Sequence, residues 1–429
     1  MRLCVISIDA MVCEDVPLLL SMKNCAELFK HSARVEQLET VYPSLTHPVH
    51  AALLTGCRCG KNGVTHNERF DPFHHVPVWY NQLSDIRCDT IFHAARRAGL
   101  HSCAARWPMT ACGNGIIDYI VPEVLDADLQ NGKSMRDVLA AGGSGPILED
   151  IVNPNLCLLD GNRRPGYDAF SVACCVDIVL RKQPDLLFTH WGMLDSARHR
   201  GGMFGPHVRK ALTYVDEWVG KLAEAHANAG IFDETNFILL SDHGQLEVER
   251  KTCLNVLLVQ NGLIDIDNDG NVQDWQAYIS SAGLSAQVFL KAPANKQLQK
   301  RVAQLLDRLC EEGASGFSQW LTAEEARKRY GLYGRFSFVL ETDNHTLFGN
   351  ETTGAVIRER SMEPFVRANH GHMPHKGCQP TLLAVGPAFN PDTVVTQSQI
   401  IDVAPTIAAA MNLRLKNPEG RRIEPLLRF

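Results

Sequence analysis

The stretch Y-P-S-L-T-H-P-V-H-A-A-L-L-T-G, Tyr42 to Gly56, reads as a loop that delivers the hydroxyl of Thr46 to the first turn of a helix. Thr is a preferred N-cap, Pro48 is tolerated in a first turn, His50 to Leu54 propagate the helix, and Gly56 stops it. A helix start presents unpaired N–H groups and positive potential, so an anion held there faces the capping hydroxyl. That geometry suits a nucleophile attacking phosphorus. A threonine hydroxyl needs a neighbouring base or a metal ion to take its proton at neutral pH. The reading of the chain therefore turns on whether metal ligands converge on Thr46.

Working outward, Leu3 to Ile8 is an apolar, partly β-branched run expected of a strand covered on both faces, and Asp9 sits where it ends. Open parallel sheets place their ligands beyond the carboxyl ends of strands, which puts Asp9 in position for a site. The loop K-N-G-V-T-H-N-E-R-F-D-P, residues 61 to 72, carries Asn67, whose amide can donate to a phosphoryl oxygen as charge builds on it. Thr90 to Ala98 reads as a helix and His101 to Ala105 as a strand ending at Arg106, Trp107 and Pro108. Residues 122 to 166 read as an irregular connection with short helices. After the helix Tyr167 to Lys182 comes P-D-L-L-F-T-H-W-G, another strand, followed by D-S-A-R-H. Asp195 and His199, four residues apart, share one face of a helical turn, a usual way to give one metal two ligands. Helix Pro206 to Asn228 and strand Asn236 to Leu240 lead to S-D-H-G-Q, where Asp242 and His243 can share a metal if the chain turns, as Gly244 permits.

Between residues 251 and 364 the pattern shifts to strand-like S-A-Q-V-F-L-K, helices near Ala294 to Glu312 and Thr322 to Tyr330, and strand-like G-R-F-S-F-V-L-E. This reads as an inserted α+β subdomain at one side of the site. The core resumes with R-A-N-H-G-H-M-P-H-K-G, from which His370, followed by Gly371, is chosen as ligand over His372 and His375, and then T-L-L-A-V-G as a strand. Residues 398 to 412 form a final helix. The expected architecture is a three-layer α/β/α core with a mostly parallel sheet, built from residues 1–250 and 365–429, with a cap from 251–364, although simple division of 429 residues suggests roughly three domains.

Hydrophobic residues at 45% and charged residues at 21% are ordinary globular proportions. A net charge of -6 argues against a nucleic-acid polymer as partner while leaving room for a small phosphate ester or phosphonate in a locally positive site. The fourteen cysteines, among them Cys4, Cys157, Cys174 and Cys175, lie in apolar runs and read as reduced, mostly buried thiols; Cys57-x-Cys59, with no second pair, reads as structural. With a core strand at the N-terminus and no long apolar run, the expectation is a cytoplasmic protein without a membrane span.

Seven candidate ligands result: Asp9, Thr46, Asp195, His199, Asp242, His243 and His370. Nitrogen and carboxylate ligands without sulfur suit two zinc ions, with manganese as the alternative. Two ions about 3.5 to 4 Å apart can hold one ester between them. The set T-H-P-V-H-A-A-L-L-T-G, G-V-T-H-N-E-R-F-D-P, R-W-P, P-D-L-L-F-T-H-W-G-M-L-D-S-A-R-H, A-L-T-Y-V-D-E-W-V-G-K-L, T-N-F-I-L-L-S-D-H-G and N-H-G with L-L-A-V-G-P-A-F resembles the alkaline phosphatase superfamily, and within it the nucleotide pyrophosphatase/phosphodiesterase group. The resemblance implies Thr46 as nucleophile, one zinc on Asp9, Thr46, Asp242 and His243, the other on Asp195, His199 and His370, and Asn67 on the non-bridging phosphoryl oxygen. It implies hydrolysis of a phosphodiester or nucleotide pyrophosphate through a phospho-threonine, with a phosphonoacetate hydrolase-like cleavage of a carbon–phosphorus bond or a phosphomonoesterase as rivals. For a monoester, extra cations would come from Arg58, Lys61, Arg69 or Arg106. Two departures stand out: His47 replaces the group's usual aromatic beside a nucleoside base, and Arg198 replaces a usual Gly, which would add positive charge near the site.

Overall fold

The computed structural model describes residues 1–74, 76–125, 128–129, 133–160, 163–313 and 315–428. Its organising element is the strand Arg2–Ile8, flanked in parallel by Leu186–Trp191 and Thr235–Leu240, with Val5 opposite both Phe188 and Ile238. Leu3 and Val5 point into one core cluster and Cys4, Ile6 and Ile8 into the other, which is why the run is apolar on both faces from Leu3 to Ile6 and again at Ile8. The sheet has eight strands in the order Val394–Gln399, Ala33–Glu39, Leu382–Val385, Thr235–Leu240, Arg2–Ile8, Leu186–Trp191, Ser102–Ala105, Tyr119–Val121. Leu382–Val385 alone runs against its neighbours.

Helices cover both faces. Thr46–Thr55, Ile91–Arg97 and Val403–Ala410 pack on one through Val49, Leu53, Phe92 and Ile407. Lys23–Phe29, Gly166–Lys182 and Pro206–Asn228 pack on the other through Phe29, Phe170 and Leu212. Each buried Val, Leu or Phe contributes about 1.5–3 kcal/mol. The result is the three-layer α/β/α core with a mostly parallel sheet.

Among the described residues no strand between 251 and 364 joins this sheet. Ala277–Ser281, Ser285–Leu290, Phe338–Thr342 and Phe317–Thr322 form their own antiparallel sheet. Alternation divides its side chains. Val288, Leu290 and Leu340 meet Leu298, Val302 and Leu306 of the helix Lys296–Glu312, while Phe289, Leu321 and Val339 join the core under the Thr46 helix.

Three strands of the eight-stranded sheet were not anticipated from sequence. Ala33–Glu39 carries only Ala33, Val35 and Leu38 as buried positions among polar ones, Tyr119–Val121 is three residues long, and Val394–Gln399 is an edge with no buried position. The connection 122–166 holds a helix at Met135–Gly142, capped by Ser134 accepting from the Asp137 N–H. Its residues 126, 127, 130–132, 161 and 162 lie outside the described residues. Among the described residues no helix is long and apolar enough to cross a membrane. All fourteen cysteines are free and eight are buried; Cys157, read as part of an apolar run, is exposed because its turn faces outward.

Candidate active site

The helix begins on Thr46 itself. Leu45, in extended conformation at φ −111° and ψ 147°, takes the N-cap position and offers no side-chain bond. This corrects the expectation that Thr46 caps the helix, and it leaves the hydroxyl free of capping and hydrogen-bonded to His243 Nε2 at 3.3 Å. One turn on, His50 bonds through Nδ1 to the Thr46 carbonyl at 2.8 Å and through Nε2 to Ser7 Oγ at 3.0 Å, tying the helix start to the central strand. Gly56 ends the helix with φ 66°. Asn67 Oδ1 accepts the His47 N–H at 3.0 Å, so the Asn67 amide nitrogen remains as a donor.

The predicted ligands come together in two groups: Asp9, Asp242 and His243, and Asp195, His199 and His370, with the ligand atoms of each group within 4.8 Å of one another. Asp9 and Asp242 sit just past parallel strands, and Asp195 and His199 lie on the helix Met193–Gly201 that follows a third. His199 Nε2 is 3.0 Å from Asp195 Oδ1, and its Nδ1 donates to the Ala368 carbonyl at 2.7 Å. His370 Nδ1 bonds the Ser44 carbonyl at 3.1 Å, which leaves Nε2 facing Asp195. Such outer bonds set which nitrogen carries a lone pair. Two glycines make the turns possible. A Cβ on Gly244 would lie 2.2 Å from the Cys378 carbonyl; one on Gly371, at φ +99°, would lie 1.8 Å from the Ala282 carbonyl.

Electrostatics test whether cations fit. Burial raises the Asp9 carboxyl, and Asp195 and Asp242 raise it further; burial also pushes Asp242 up to about 7. Asp9 Oδ1 and Asp242 Oδ2 are buried without a hydrogen-bond partner. Burial and the neighbouring His370 drive His243 well below its ordinary value, and burial takes His370 down to about 4, so both imidazoles hold lone pairs. Burial pushes Asp195 up, but His199, His370 and His243 outweigh it and hold the carboxyl low. His199 is raised in turn, Asp195 overcoming its burial. Unmet carboxylate oxygens beside neutral imidazoles form a donor set that fits divalent cations of the zinc type.

Thr46, Asn67, Asp9, Asp195, His199 and His370 line a cleft of about 460 Å³, which Arg106, Glu123, Arg164 and Tyr167 also line. His47 lines it too, its ring held by Glu123, with Nε2 at 3.2 Å, and by the edge of Trp79 at 5.0 Å between centroids. Of the four cations considered from sequence, only Arg106 reaches the cleft. Arg58 bonds Gln399, Lys61 the Asn417 carbonyl, and Arg69 Asp85. Arg198 adds no charge to the cleft, contrary to expectation. It is buried, paired through one nitrogen with both oxygens of Asp15 at 2.8 Å, and bonded to the carbonyls of Ala10 and Met203. Of the remaining loop histidines, His372 is buried and His375 is exposed.

Sequence reasoning missed His190, Glu123, Trp79, Arg164 and Tyr167. His190 lies 3.3 Å from Asp9 Oδ2 and from Ser7 Oγ; its place next to the last residue of a buried strand was the available signal. Glu123, Trp79 and Arg164 come from segments without periodicity, and Tyr167 stands in the first turn of the helix Gly166–Lys182, whose periodicity reports burial but not a site.

An α/β/α sheet whose strand ends gather these two ligand groups beside a helix-start threonine defines the class, the alkaline phosphatase superfamily. The model of Type I phosphodiesterase / nucleotide pyrophosphatase matches residues 3–351, and the chain belongs to that family. Ectonucleotide pyrophosphatase/phosphodiesterase family member 1 of Rattus norvegicus is 25% identical over 265 residues, 59% of this chain and 24% of the relative. Family member 7 of Homo sapiens is 23% identical over 236 residues, 53% of this chain and 44% of the relative. The chain thus spans from 24% to 44% of the length of these curated relatives. Among solved structures, murine ectonucleotide pyrophosphatase/phosphodiesterase 5 superposes with a TM-score of 0.69 at 20% identity, and an inactive form of it in complex with AMP with 0.70 at 19%, each covering 100% of both chains. At that identity the likeness speaks for the fold.

Proposed function

We propose that this chain is a metal-dependent hydrolase of phosphoric esters, acting on a phosphodiester or nucleotide-type ester through a phospho-threonine at residue 46. The observation that carries the reading is the Thr46 hydroxyl, free of any capping bond, hydrogen-bonded to the candidate ligand His243 at 3.3 Å and in one cleft with Asp9, Asp195, His199, His370 and Asn67. Asp9, Asp242, His243 and Thr46 would hold one zinc ion and Asp195, His199 and His370 a second. When bound, such ions lower the pKa of a hydroxyl or water and neutralise charge on phosphoryl and leaving oxygens.

The remaining chemistry belongs to side chains. Thr46 Oγ1 gives up its proton to solvent and attacks phosphorus in line as the bond to the leaving oxygen breaks, and the alcohol departs with a proton from solvent. The Asn67 amide, oriented by the His47 N–H on its oxygen, donates to a non-bridging oxygen as negative charge grows there. Water then attacks the phospho-threonine and passes one proton to Thr46 Oγ1 as the bond to that oxygen breaks, releasing the phosphate monoester. The AMP complex of the murine neighbour supports a nucleotide-type ester as substrate. The Glu123 and Trp79 contacts that hold His47 favour a substrate whose non-phosphate part makes other contacts than stacking on residue 47.

Turnover of bis-p-nitrophenyl phosphate in the zinc-loaded wild type and Thr46→Ala, together with metal content, tests the proposal. The expected result is two metals in the wild type and loss of turnover by at least about a thousandfold in the variant. Full turnover by Thr46→Ala would overturn it.

A further inference from the structure

Among the described residues no cysteine lines the cleft of Thr46, yet two free thiols meet away from it. Cys57 directly follows Gly56, which ends the Thr46 helix, and Cys88 stands in the loop ahead of the helix Ile91–Arg97. The Cys88 thiol hydrogen-bonds the Cys57 sulfur. Cys88 Sγ is also 3.5 Å from the Lys61 carbonyl. Cys57 Sγ is 3.6 Å from the Thr55 carbonyl and 3.7 Å from that of Asn417, to which Lys61 Nζ donates at 2.7 Å. The bond from Cys88, helped by the Lys61 ammonium, lowers the Cys57 thiol to about 7 against its burial and the Glu419 carboxylate, and the same bond raises Cys88. An acidic thiol beside a protonated one is the pairing of an attacking and a resolving cysteine. Cys59, which the spacing offers as the partner of Cys57, is buried and pushed up to about 12 by that burial. Neither group of side chains that converges as for a metal includes a cysteine. Cys13 and Cys378 make a contrasting pair: burial and a shared bond to the Glu14 carboxylate push them up to about 11 and about 12.

We propose that Cys57 and Cys88 form an oxidation site at which a hydroperoxide converts the two thiols to a disulfide. The Cys57 thiolate attacks one peroxide oxygen and the O–O bond breaks. Cys57 becomes a sulfenic acid, and the departing oxygen takes up the proton that Cys57 gave away. The Cys88 sulfur then attacks the sulfenic sulfur, the S–S bond forms, and the sulfenic hydroxyl leaves with the Cys88 proton as water. Two electrons pass from the thiols to the peroxide. Cys57 is 1% exposed and Cys88 half-buried, which suits a small oxidant. The segment 58–87 between them carries Asn67 and Trp79 to the cleft, so the bond fastens both ends of it. None of this depends on the reading of Thr46.

The test treats the reduced full chain with hydrogen peroxide at pH 7, alkylates the remaining thiols and maps the digested peptides by mass spectrometry. At that pH a thiol at about 7 is about half ionised and one at about 11 about one part in ten thousand, a gap that the lower nucleophilicity of the more acidic thiolate narrows but does not close. The expected result is a peptide pair joined through Cys57 and Cys88, parted again by dithiothreitol, that forms at least about tenfold faster than Cys13 or Cys378 is oxidised. In Cys88→Ser the Cys57 sulfenic acid persists and is captured by dimedone, and in Cys57→Ser the Cys88 thiol stays reduced at the same dose; circular dichroism checks both folds. Should a variant not fold, the wild-type map carries the test. Recovery of Cys57 and Cys88 as separate alkylated peptides at a dose that oxidises Cys13 or Cys378, bonds from either to other cysteines, or equal oxidation of Cys88 in Cys57→Ser overturns the proposal.

Discussion

Replacing Arg198 by Met exposes how the ligand helix is tied to the loop after the first strand. Arg198 lies on the same helix as Asp195 and His199 but points away from the cleft, to Asp15 and to the carbonyls of Ala10 and Met203. Ala10, next to Asp9, sits at φ 60°, a conformation that costs an alanine about 1–2 kcal/mol, and it is held by Arg198 on its carbonyl and by Asp242 Oδ1 on its N–H at 3.1 Å. In Arg198→Met the Asp15 carboxylate, 3% exposed, keeps only the Val12 N–H at 2.9 Å. Removing one member of a buried pair costs about 3–5 kcal/mol, because the other charge stays behind. Removing both in Arg198→Met/Asp15→Leu leaves an apolar contact that is often near neutral, so the double variant should recover at least about 2 kcal/mol of the single variant's loss. Urea unfolding of the wild type, both single variants and the double variant measures this. Zinc affinity, read alongside, should fall about 10–100-fold in Arg198→Met as Asp9 loses its support. A single variant within about 1 kcal/mol of wild type, or a double variant that only adds the two losses, would refute the reasoning.

Asn67→Ala should lower kcat for bis-p-nitrophenyl phosphate about 10²–10³-fold with zinc content at the wild-type level, and a smaller effect than tenfold would remove Asn67 from the phosphoryl oxygen. Glu341, on the strand Phe338–Thr342, accepts from Tyr42 Oη at 2.9 Å, the Met373 N–H at 3.2 Å and Lys376 Nζ at 2.9 Å, linking that strand to the loops on either side of the site. Burial pushes its carboxyl up to about 7 from an ordinary 4.5, against the pull of Lys376. Between those values the folded state keeps a proton that the unfolded chain has lost, so the associated stability is full below 4.5 and is lost as pH rises through 7. Glu341→Gln should flatten that decline in urea midpoints across the same window, and parallel profiles for the two proteins would count against it.

What was legible in the chain by itself was local. Asp195 and His199 declare themselves because four residues on a helical turn bring two side chains to one face, and Asp9 and Asp242 because each follows a run apolar enough to be a strand buried on both sides. The helices at Pro206–Asn228 and Gly166–Lys182 follow from periodicity in the same way. Tertiary structure decided every property that depends on a partner distant in sequence. It set Arg198 against Asp15 and away from the cleft, placed His190 on Asp9, and left Arg106 and Arg164 to share Asp168. It also made a strand of Ala33–Glu39, whose polar alternation is stable there because Val394–Gln399 and Leu382–Val385 satisfy its backbone on both edges. Periodicity and spacing act within a few residues, whereas the burial of a charge and the pairing of a strand depend on which other segments arrive beside them.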